Sequence, residues 1–412
     1  MNSPHASFPA SRSAALARWE SFLPRVPEYA RLRNYVVEGH PHVSGLSPAI
    51  RCRLITEEEI LRSLRERFPF SIVEKFVQEL LWRGYWKAWL ECHQGVWDEY
   101  KRQIASAHEA LSEHQLQRIQ AIQGGGSSVA VIDHFTRELL ETGYLHNHAR
   151  MWWASYWIHV EKLPWQLGSD FFYRHLLDGD AASNTLSWRW VAGLHTRGKA
   201  YLVRRSNIEK YLSPAMLNKR GLEQLDDDRV ETANLTGDTQ HPFALSATSP
   251  DGINLDGKRW GLWLHEEDLH PESLNFVDTA PFSVRCFLPH EDNPLNKPGP
   301  LRGAYIAASL QDGLSRAADH WKLHPSRVAL TTIPSLVDGL LQWSNLEKLE
   351  VIVLSRPPVG FFRDQLPKVA AALNQRSVRL VTVSRPWDEN LYPNARTGFF
   401  NFWERTKDFL LW

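Results

Sequence analysis

The chain has 412 residues, and its 47 basic side chains are matched by 47 acidic ones. That length suffices for two ordinary domains, and the balanced charge excludes a global field of the kind that draws a protein to nucleic acid. Three cysteines that lie far apart in sequence exclude a disulfide framework, are too few for a four-cysteine iron–sulfur cluster, and fit a reducing cytosol.

The first 210 residues are predicted to form an all-helical domain. Thr56 and Glu59 make a capping box before the segment ILRSLRERF, and SIVEKFVQELLWRGYWKAWLE has the pattern of a long, aromatic, amphipathic helix. A glycine-rich break lies at 124–128. Residues 211–257 are polar, and we predict a linker or an excursion over the surface there.

From residue 258 the hydrophobic period changes. RWGLWL, FSVRCFL, RVALTTI, LEVIVLS and RLVTVS are short, rich in β-branched residues and typical of strands, with helical segments between them. This alternation predicts a parallel, doubly wound α/β domain over 258–412. We find neither a secretory leader nor an uncharged run near the ~20 residues of a membrane span, so we expect a cytoplasmic protein that contacts no membrane.

Polar residues recur at helical spacing within an aromatic, apolar background between residues 142 and 193. Asn147 and Arg150 share one helix face, and Asp180 and Asn184 share another. A buried Arg and a buried Asp are costly without partners, so the simplest partners are each other and a large polar ligand held between two helices. Such a site suits a cofactor with a polar ring edge and a phosphate tail.

Two motifs in this region resemble those of the flavin-binding domain of the photolyase/cryptochrome family. The first, TG-aromatic-x-HN-x-x-R-M, is formed by Thr142, Gly143, Tyr144, His146, Asn147, Arg150 and Met151. The second, DGD-x-A-x-N-x-x-x-W-x-W, is formed by Asp178, Gly179, Asp180, Ala182, Asn184, Trp188 and Trp190. The resemblance implies a bound FAD, light-driven chemistry and a DNA partner.

The order of the two domains differs from that of the resembling family, which usually places the α/β antenna domain first. Here WGLWLHEEDLHPESL looks like the opening strand of that domain, and LYPNARTGFFNFWERTKDF looks like its closing stretch. We therefore infer a circular permutation, which is tolerated because chain termini often lie close together at the surface. The alternative is an unrelated α/β domain fused behind a flavin domain.

The resemblance assigns one group of residues to the FAD diphosphate. Hydroxyls and N–H groups at the entry to a helix suit an anion, and the matching residues are Tyr29, Ser44, Gly45, Leu46 and Ser47. The alternative is an ordinary capped helix start. Val43 and Gly45 replace the usual hydroxyl and cation of the family, and Arg51 or Arg53 is a candidate to compensate for them.

A second group is assigned to the flavin ring. Arg150 and Asp178 match the pair beside the isoalloxazine, and Asp180 matches a carboxylate near the ring or ribityl chain. Asn184 matches the residue facing the flavin N5, where its amide can both donate and accept. Arg83 and Asn147 complete the predicted pocket. The alternative is a structural salt bridge together with a helix cap.

The motif EL-x-WR resembles the family's lesion-contacting helix. Trp82 would stack on a flipped-out pyrimidine dimer while Glu79 and Asn147 hydrogen-bond it, and Asn147 favours cyclobutane dimers over (6-4) photoproducts. The alternative makes Glu79 and Arg83 a routine helical ion pair, within a core stripe of tryptophans. For Trp86 and Trp89 we prefer the core interpretation.

The family also photoreduces its flavin through three tryptophans. Trp188 and Trp165 match the inner two, and candidates for the outer one are Trp152, Trp153, Trp157 and Trp190. A second, antenna chromophore is of unknown identity here, because the family's arginines after the first strand are replaced by Glu266, Glu267 and His270. We predict no metal site.

The sequence therefore favours light-driven repair of cyclobutane pyrimidine dimers by a monomeric flavoprotein acting on single- or double-stranded DNA. Excited, reduced FAD would donate an electron to the dimer, which splits and returns it. A cryptochrome-like blue-light photoreceptor without repair activity is the first alternative. A binding or scaffold protein that has lost its flavin is the second.

Overall fold

The computed structural model describes residues 8–195, 199–233, 235, 255–274, 279–289, 297–407 and 410. Within these residues, the part before residue 233 is built from helices and the part after residue 255 from a five-stranded sheet with flanking helices. The predicted fold class, a helical domain followed by a parallel α/β domain, is confirmed.

The helices of the first part differ widely in length. Their bounds are α1 Arg12–Phe22, α2 Val26–Leu32, α3 Ser47–Arg51, α4 Glu57–Arg67, α5 Phe70–Cys92, α6 Gln94–Glu109, α7 Glu113–Gln123, α8 Ala130–Thr142, α9 Asn147–Ser155, α10 Trp165–His175, α11 Ala181–Val191 and α12 Arg205–Tyr211. A π-helical turn, Tyr156–Val160, continues α9. Among the described helices, none is both long and apolar enough to cross a membrane.

Local sequence explains where several of these helices begin and end. The predicted capping box is present, since the Thr56 hydroxyl accepts from the backbone of Glu59 while the Glu59 carboxylate accepts from the backbone of Thr56. Asp180 caps α11. Gly143 ends α8 in the left-handed conformation (φ +70°), which glycine adopts without steric cost. Asp180 and Gly143 belong to the two predicted motifs, so both motifs lie at helix ends.

All five strands are parallel, in the order β3-β2-β1-β4-β5. Their bounds are β1 Trp260–Trp263, β2 Ser283–Pro289, β3 Val328–Ile333, β4 Val351–Ser355 and β5 Arg379–Val383. The helices of this part are α13 Pro300–Trp321, α14 Leu336–Glu347, α15 Phe361–Asn374, α16 Pro386–Leu391 and α17 Phe399–Thr406. This strand order is that of a doubly wound sheet, in which the direction of winding reverses beside β1.

The two faces of the sheet bury different cores. On one face, α14 and α15 cover a cluster that includes Trp263, Leu340 and Trp343. On the other, Val284 and Val353 join a core that runs on into the helical domain. The sheet is therefore buried on both faces, as its apolar strands require.

The carboxyl edge of the sheet faces the helical domain. After β1, the Glu266 and Glu267 carboxylates bind the Arg51 guanidinium at 2.6 and 2.8 Å. Asp268 follows and binds Arg53 at 2.9 Å. Ligands of open α/β sheets usually bind at this edge. Here ion pairs with the first domain fill the part of it beside β1.

The segment 211–257, predicted as a linker, begins as part of the helical domain. Leu212, Leu222 and Leu225 are buried in its core, and Leu212 forms a bridge with Val36. Their apolar side chains explain this packing. The segment was predicted as a linker because most of its other residues are polar. Residues 236–254 lie outside the described residues, so the domain boundaries remain a prediction.

Candidate functional site

Arg150 and Asp178 form the ion pair that the motif spacing indicates. Nη2 of Arg150, on α9, lies 2.9 Å from Oδ2 of Asp178, which precedes α11. Nε of Arg150 donates to the carbonyl of Leu145 at 2.9 Å, and its guanidinium lies over the Tyr144 ring at 5.4 Å. These contacts fix the direction of the guanidinium, while the Asp178 side chain is almost fully buried.

A second ion pair lies directly beside the first. Nη1 of Arg83, on α5, donates to Oδ2 of Asp180, and Nη2 of Arg83 lies 4.0 Å from Oδ2 of Asp178. Oδ1 of Asp180 accepts from the backbone N–H of Ser183 at 2.7 Å and so caps α11. Two guanidinium groups and two carboxylates thus alternate between three helices. The salt bridge and the helix cap of the alternative interpretation are both present.

The local charges keep both carboxylates ionised. Burial alone favours the neutral acid at Asp178, but Arg150 and Arg83 outweigh it and hold the pKa of Asp178 below its usual value. The pKa of Asp180 is lowered in the same way, against the effect of burial, by Arg83 and then by Lys87. The cluster therefore keeps two ionised carboxylates beside two guanidinium groups.

One buried atom of this cluster is not satisfied by the protein. Oδ1 of Asp178 accepts no well-formed hydrogen bond within the described residues, although the nearby Ser47 hydroxyl helps to lower the pKa of this carboxylate. Buried carboxylate oxygens are rarely left without a donor. A ring N–H or a ribityl hydroxyl would supply one, so the residues present fit a flavin.

The stretch predicted to bind the diphosphate lies next to this cluster. Gly45 has a φ of +62°, and a Cβ at this position would lie 3.2 Å from the Arg18 guanidinium. The Ser44 hydroxyl accepts from the backbone of Leu46 at 3.3 Å, and Ser47 begins α3. Arg18 thus provides a cation beside the glycine that replaces the family's usual one. No pattern in the sequence pointed to Arg18, which lies 27 positions earlier on a separate helix.

The other residues considered for the diphosphate lie elsewhere or are already engaged. Tyr29 is half-buried and meets Phe76 edge-to-face at 5.0 Å, and desolvation raises the pKa of its hydroxyl. Arg51 binds Glu266 and Glu267, and Arg53 binds Asp268 and Asp388. Both arginines therefore bind the α/β domain, because carboxylates there satisfy them.

Asn184 is held in a defined orientation. Its Nδ2 donates to the carbonyl and the hydroxyl of Ser169, on α10, at 2.8 and 2.9 Å. Tyr100 donates to the same hydroxyl at 3.0 Å. The amide N–H groups are therefore directed toward α10, which leaves the carbonyl oxygen of Asn184 as the group able to face a cofactor.

Glu79 and Arg83 do not pair with each other. The Glu79 carboxylate binds Arg33 at 3.0 Å and Lys75 at 2.8 Å, whereas Arg83 binds Asp180. The two side chains of the EL-x-WR motif thus lie in separate ion-pair groups, and only Arg83 belongs to the pocket of Asp178 and Asp180.

Trp82 is covered on one face by the second domain. The Phe399 ring, at the start of α17, lies parallel to the indole with 3.8 Å between centroids. Tyr85 and Trp86 contact the same indole at 5.4 and 5.1 Å, so Trp82 shares an aromatic cluster with a residue that we had assigned to packing. Asn147 is exposed at the first turn of α9. Phe399 therefore closes one face of the Trp82 indole to further stacking.

The tryptophans assigned to electron transfer have different neighbours. Trp188 meets Trp153 at 6.1 Å between centroids, and Trp153 stacks on Trp157 at 5.2 Å. Trp165 stacks on Tyr100 at 5.4 Å. A continuous set of rings thus leads from Trp188 through two of the candidate tryptophans. Trp190 stacks on Tyr201 instead.

Arg302 is a site residue that the sequence did not reveal. From α13 of the second domain, its Nη2 donates to the carbonyl of Gly179 at 2.9 Å and its Nη1 donates to the carbonyl of Tyr173. The same guanidinium lies 4.2 Å over the Tyr173 ring. The loop that carries Asp178 and Asp180 is therefore positioned from the α/β domain.

The Gly143→Ala variant is expected to destabilise the protein by about 1–3 kcal/mol, because it combines a left-handed backbone with a steric clash. A Cβ there would lie 2.6 Å from Cγ of Leu177, whose backbone N–H donates to the Gly143 carbonyl at 2.9 Å. Displacing Leu177 moves the adjacent Asp178, so the ratio of bound flavin to protein should also fall. Thermal unfolding and flavin absorbance measure the two effects.

Gly39→Ala is the matched control for that variant. Gly39 has a φ of +73°, but a Cβ there would meet nothing within 4 Å. It therefore carries the backbone strain without the clash, and flavin binding should be unchanged. Equal flavin loss in both variants would contradict the proposed link between Gly143 and Asp178.

Comparison with known proteins agrees with this geometry. Residues 76–216 match a family model described as the FAD binding domain of DNA photolyase. A deoxyribodipyrimidine photo-lyase of Escherichia coli is 27% identical over 202 residues, which cover 48% of this chain and 42% of that protein. A cryptochrome DASH of Synechocystis is 28% identical over 273 residues, which cover 63% of this chain and 51% of that protein.

The matches are partial. The chain covers less than two thirds of the length of these relatives. The crystal structure of a Synechocystis cryptochrome gives a TM-score of 0.43 at 24% identity, over 51% of this chain and 46% of that one, a likeness too weak to add to the sequence matches. The prediction of an FAD-binding domain is confirmed by the family model, which spans α5 to α12 and therefore contains both motifs.

Proposed function

We propose that this chain, whose residues 76–216 match the FAD binding domain of DNA photolyase, is a member of the photolyase/cryptochrome family that repairs cyclobutane pyrimidine dimers in DNA with an FAD cofactor and light. The observation that carries the proposal is the alternating charge cluster of Arg83, Arg150, Asp178 and Asp180, in which Oδ1 of Asp178 finds no well-formed donor among the described residues. Relatives named deoxyribodipyrimidine photo-lyase support the repair reaction, although each matches only part of this chain.

The proposed cofactor residues have separate tasks. Arg150, Asp178 and Asp180 hold the polar ring edge and ribityl chain, and the stretch 44–47 with Arg18 holds the diphosphate. Asn184 would present its carbonyl oxygen to the flavin ring, where it could accept a hydrogen bond from the N5–H of reduced flavin. When bound, reduced and excited, FAD supplies one electron to the dimer, which splits and returns that electron.

The proposed substrate residues are Trp82, Glu79 and Asn147. The indole stacks on a flipped-out base through the face away from Phe399, and Glu79 and Asn147 donate or accept at the base edges. Glu79 must then exchange part of its pairing with Arg33 and Lys75 for the substrate. Asn147, where enzymes for (6-4) photoproducts carry a histidine, favours cyclobutane dimers.

The repair assay is a light-minus-dark comparison on dimer-containing oligonucleotides, single- and double-stranded, with pre-reduced protein. We expect dimer loss only under blue light. Trp82→Ala should weaken dimer binding by about 1–3 kcal/mol, the typical contribution of base stacking on an aromatic ring. Trp89→Ala, which removes a ring stacked on His93, should leave dimer binding unchanged. Absence of light-dependent loss on either strand form would exclude repair.

A blue-light photoreceptor without repair activity is the second candidate, and the cover of Trp82 by Phe399 is the observation that favours it. A receptor has no need of an open stacking face. Affinities for damaged and intact strands separate the two functions, since a receptor should bind both alike or neither. The flavin-free scaffold is tested by the absorbance spectrum of the purified protein.

We also propose that the chain is a circularly permuted member of its family. Two observations support this. The first strand along the chain, β1, lies in the segment that resembles the family's opening strand, and Phe399 and Phe402 of α17 pack on Tyr85 of α5. A gene that encodes residues 258–412 first, followed through a flexible linker by residues 8–257, is expected to give a folded flavoprotein. An insoluble or colourless product would count against the permutation.

A further inference from the structure

A cavity of about 640 Å³ opens at the amino edge of the sheet, opposite the edge that binds the helical domain. It lies where β1, β2 and β3 begin and where α13 ends. Its lining comprises Gly257, Lys258, Arg259, Trp260, Ala280, Pro281, Phe282, Trp321, Lys322, Leu323, His324 and Arg327, all described by the structure. The volume falls within the range of small-molecule sites.

The charge of this lining is strongly one-sided. It contains four permanently cationic side chains and one histidine, and no lining residue is a carboxylate. Lys258 is partly neutralised by an exposed pair with Glu350 at 2.9 Å. Arg259 donates through Nε to the backbone carbonyl of Glu347, which leaves its charge in place. In a chain with no net charge, such a concentration of cations favours an anion.

Two of these cations converge on one aromatic ring. The guanidinium carbons of Arg259 and Arg327 lie 3.4 and 4.4 Å from the centroid of Phe282. Cation–π attraction holds each group in place, but two like charges around one ring repel each other. An anion that contacts both groups would offset that repulsion. Planar guanidinium groups also present the paired donors that match phosphate.

The cavity also offers flat apolar surface. Trp321 is partly exposed and Trp260 forms part of the buried wall, whereas the Phe282 ring is already covered by the two guanidinium groups. A ligand that carries only a phosphate would leave these rings unused. We propose that this cavity binds a nucleotide, with its phosphate held by Arg259 and Arg327 and its base against Trp321, either as a free nucleoside phosphate or as the end of a nucleic acid strand.

The fold explains why a nucleotide would bind at this edge. Doubly wound sheets usually bind ligands beyond the carboxyl ends of their strands. Here Arg51 and Arg53 of the helical domain occupy that edge beside β1. The amino edge, by contrast, keeps its cations and rings accessible. The cavity is thus separate from the flavin pocket, and the proposal does not depend on dimer repair.

The test uses flavin-loaded protein, so that the FAD site cannot accept the probe. Binding of ADP, of a four-residue thymidine strand with a 5′-phosphate, and of inorganic phosphate is measured by dialysis and by tryptophan quenching. Arg327→Glu should weaken the binding of both nucleotide probes roughly tenfold or more, because it removes a charge-assisted donor and adds a repelling carboxylate. Trp321→Leu should weaken the binding of ADP more than the binding of inorganic phosphate.

Arg376→Glu is the matched control, since it makes the same exchange at an exposed position of the same domain, outside the cavity. It should leave binding unchanged. Tighter binding of ADP would identify a free nucleotide as the ligand, and tighter binding of the strand would identify a strand end. The proposal is overturned if neither probe saturates, if phosphate binds as tightly as ADP, or if the two charge reversals act alike.

Discussion

The Asp268→Leu variant should lose about 3–5 kcal/mol of its free energy of unfolding, because a buried ion pair deprived of one partner leaves uncompensated charge. Asp268 is 1% exposed and binds two guanidinium groups. Its carboxylate accepts from Arg53 at 2.9 Å, and from Arg385 at 2.5 and 2.6 Å. Removing it leaves Arg385 without its carboxylate, while Arg53 retains Asp388.

The location of Asp268 makes this loss a test of how the two domains are joined. Arg53 belongs to the helical domain, whereas Asp268 and Arg385 belong to the α/β domain. If the network joins the domains, urea unfolding of the variant should separate into two transitions, since domains that no longer stabilise each other unfold independently. A single transition at the original midpoint would contradict this role for Asp268.

An exposed pair provides the control. Glu28 and Arg31 form an ion pair on α2 with side chains that are 55% and 70% exposed. Glu28→Leu should change the free energy of unfolding by less than about 1 kcal/mol. Exposed ion pairs are hydrated, and the two side chains lose conformational entropy when they pair. A large loss for Asp268→Leu and a small change for Glu28→Leu would identify burial of the ion pair as the cause of the lost stability.

The same network predicts how stability depends on acid. Burial opposes the ionised form of Asp268, but Arg385 and Arg53 prevail and hold its pKa well below the usual range. A carboxylate with a depressed folded-state pKa contributes stability above its unfolded value of about 3.9, and this contribution is lost as the pH falls further. Asp268→Leu should therefore flatten the stability curve below about pH 4 relative to the parent protein.

The parts of the site that the sequence could predict depend on local spacing. Arg150 and Asp180 occupy motifs that place them at defined turns of α9 and α11. Helical spacing can be recognised from residues that are close in sequence. The alternation of strands and helices likewise predicted the sheet. In each case the structural signal lies within about ten residues of the side chain concerned.

The remaining parts depend on contacts between distant segments. Arg302 reaches the Gly179 carbonyl across 123 positions, and Phe399 covers Trp82 from the last helix. Arg302 belongs to no recognised motif, and although Phe399 lies in the stretch that resembles the antenna domain's closing segment, a single sequence carries no record of which segments meet. The binding partners of Arg51 and Arg53 could not be predicted for the same reason, because a guanidinium group binds the carboxylates that the tertiary fold places next to it.

Replacing Arg150 with leucine should both destabilise the protein and abolish flavin binding. The substitution leaves the buried Asp178 carboxylate with only the more distant Arg83, at 4.0 Å, and breaking such a pair costs about 3–5 kcal/mol. The ratio of bound FAD to protein should fall roughly tenfold or more, which corresponds to at least about 1.4 kcal/mol of binding free energy. Urea unfolding and flavin absorbance provide the two readouts.

The double variant Arg150→Leu with Asp178→Leu separates a structural pair from a cofactor site. Because both charges are replaced by apolar side chains, much of the lost stability should return, as it does when buried ion pairs are exchanged for hydrophobic residues. Flavin binding should not return, since the donor at 150 and the acceptor at 178 are then both absent. If the refolded double variant binds FAD at the parental ratio, the pair is only structural, and the cofactor pocket must be sought elsewhere.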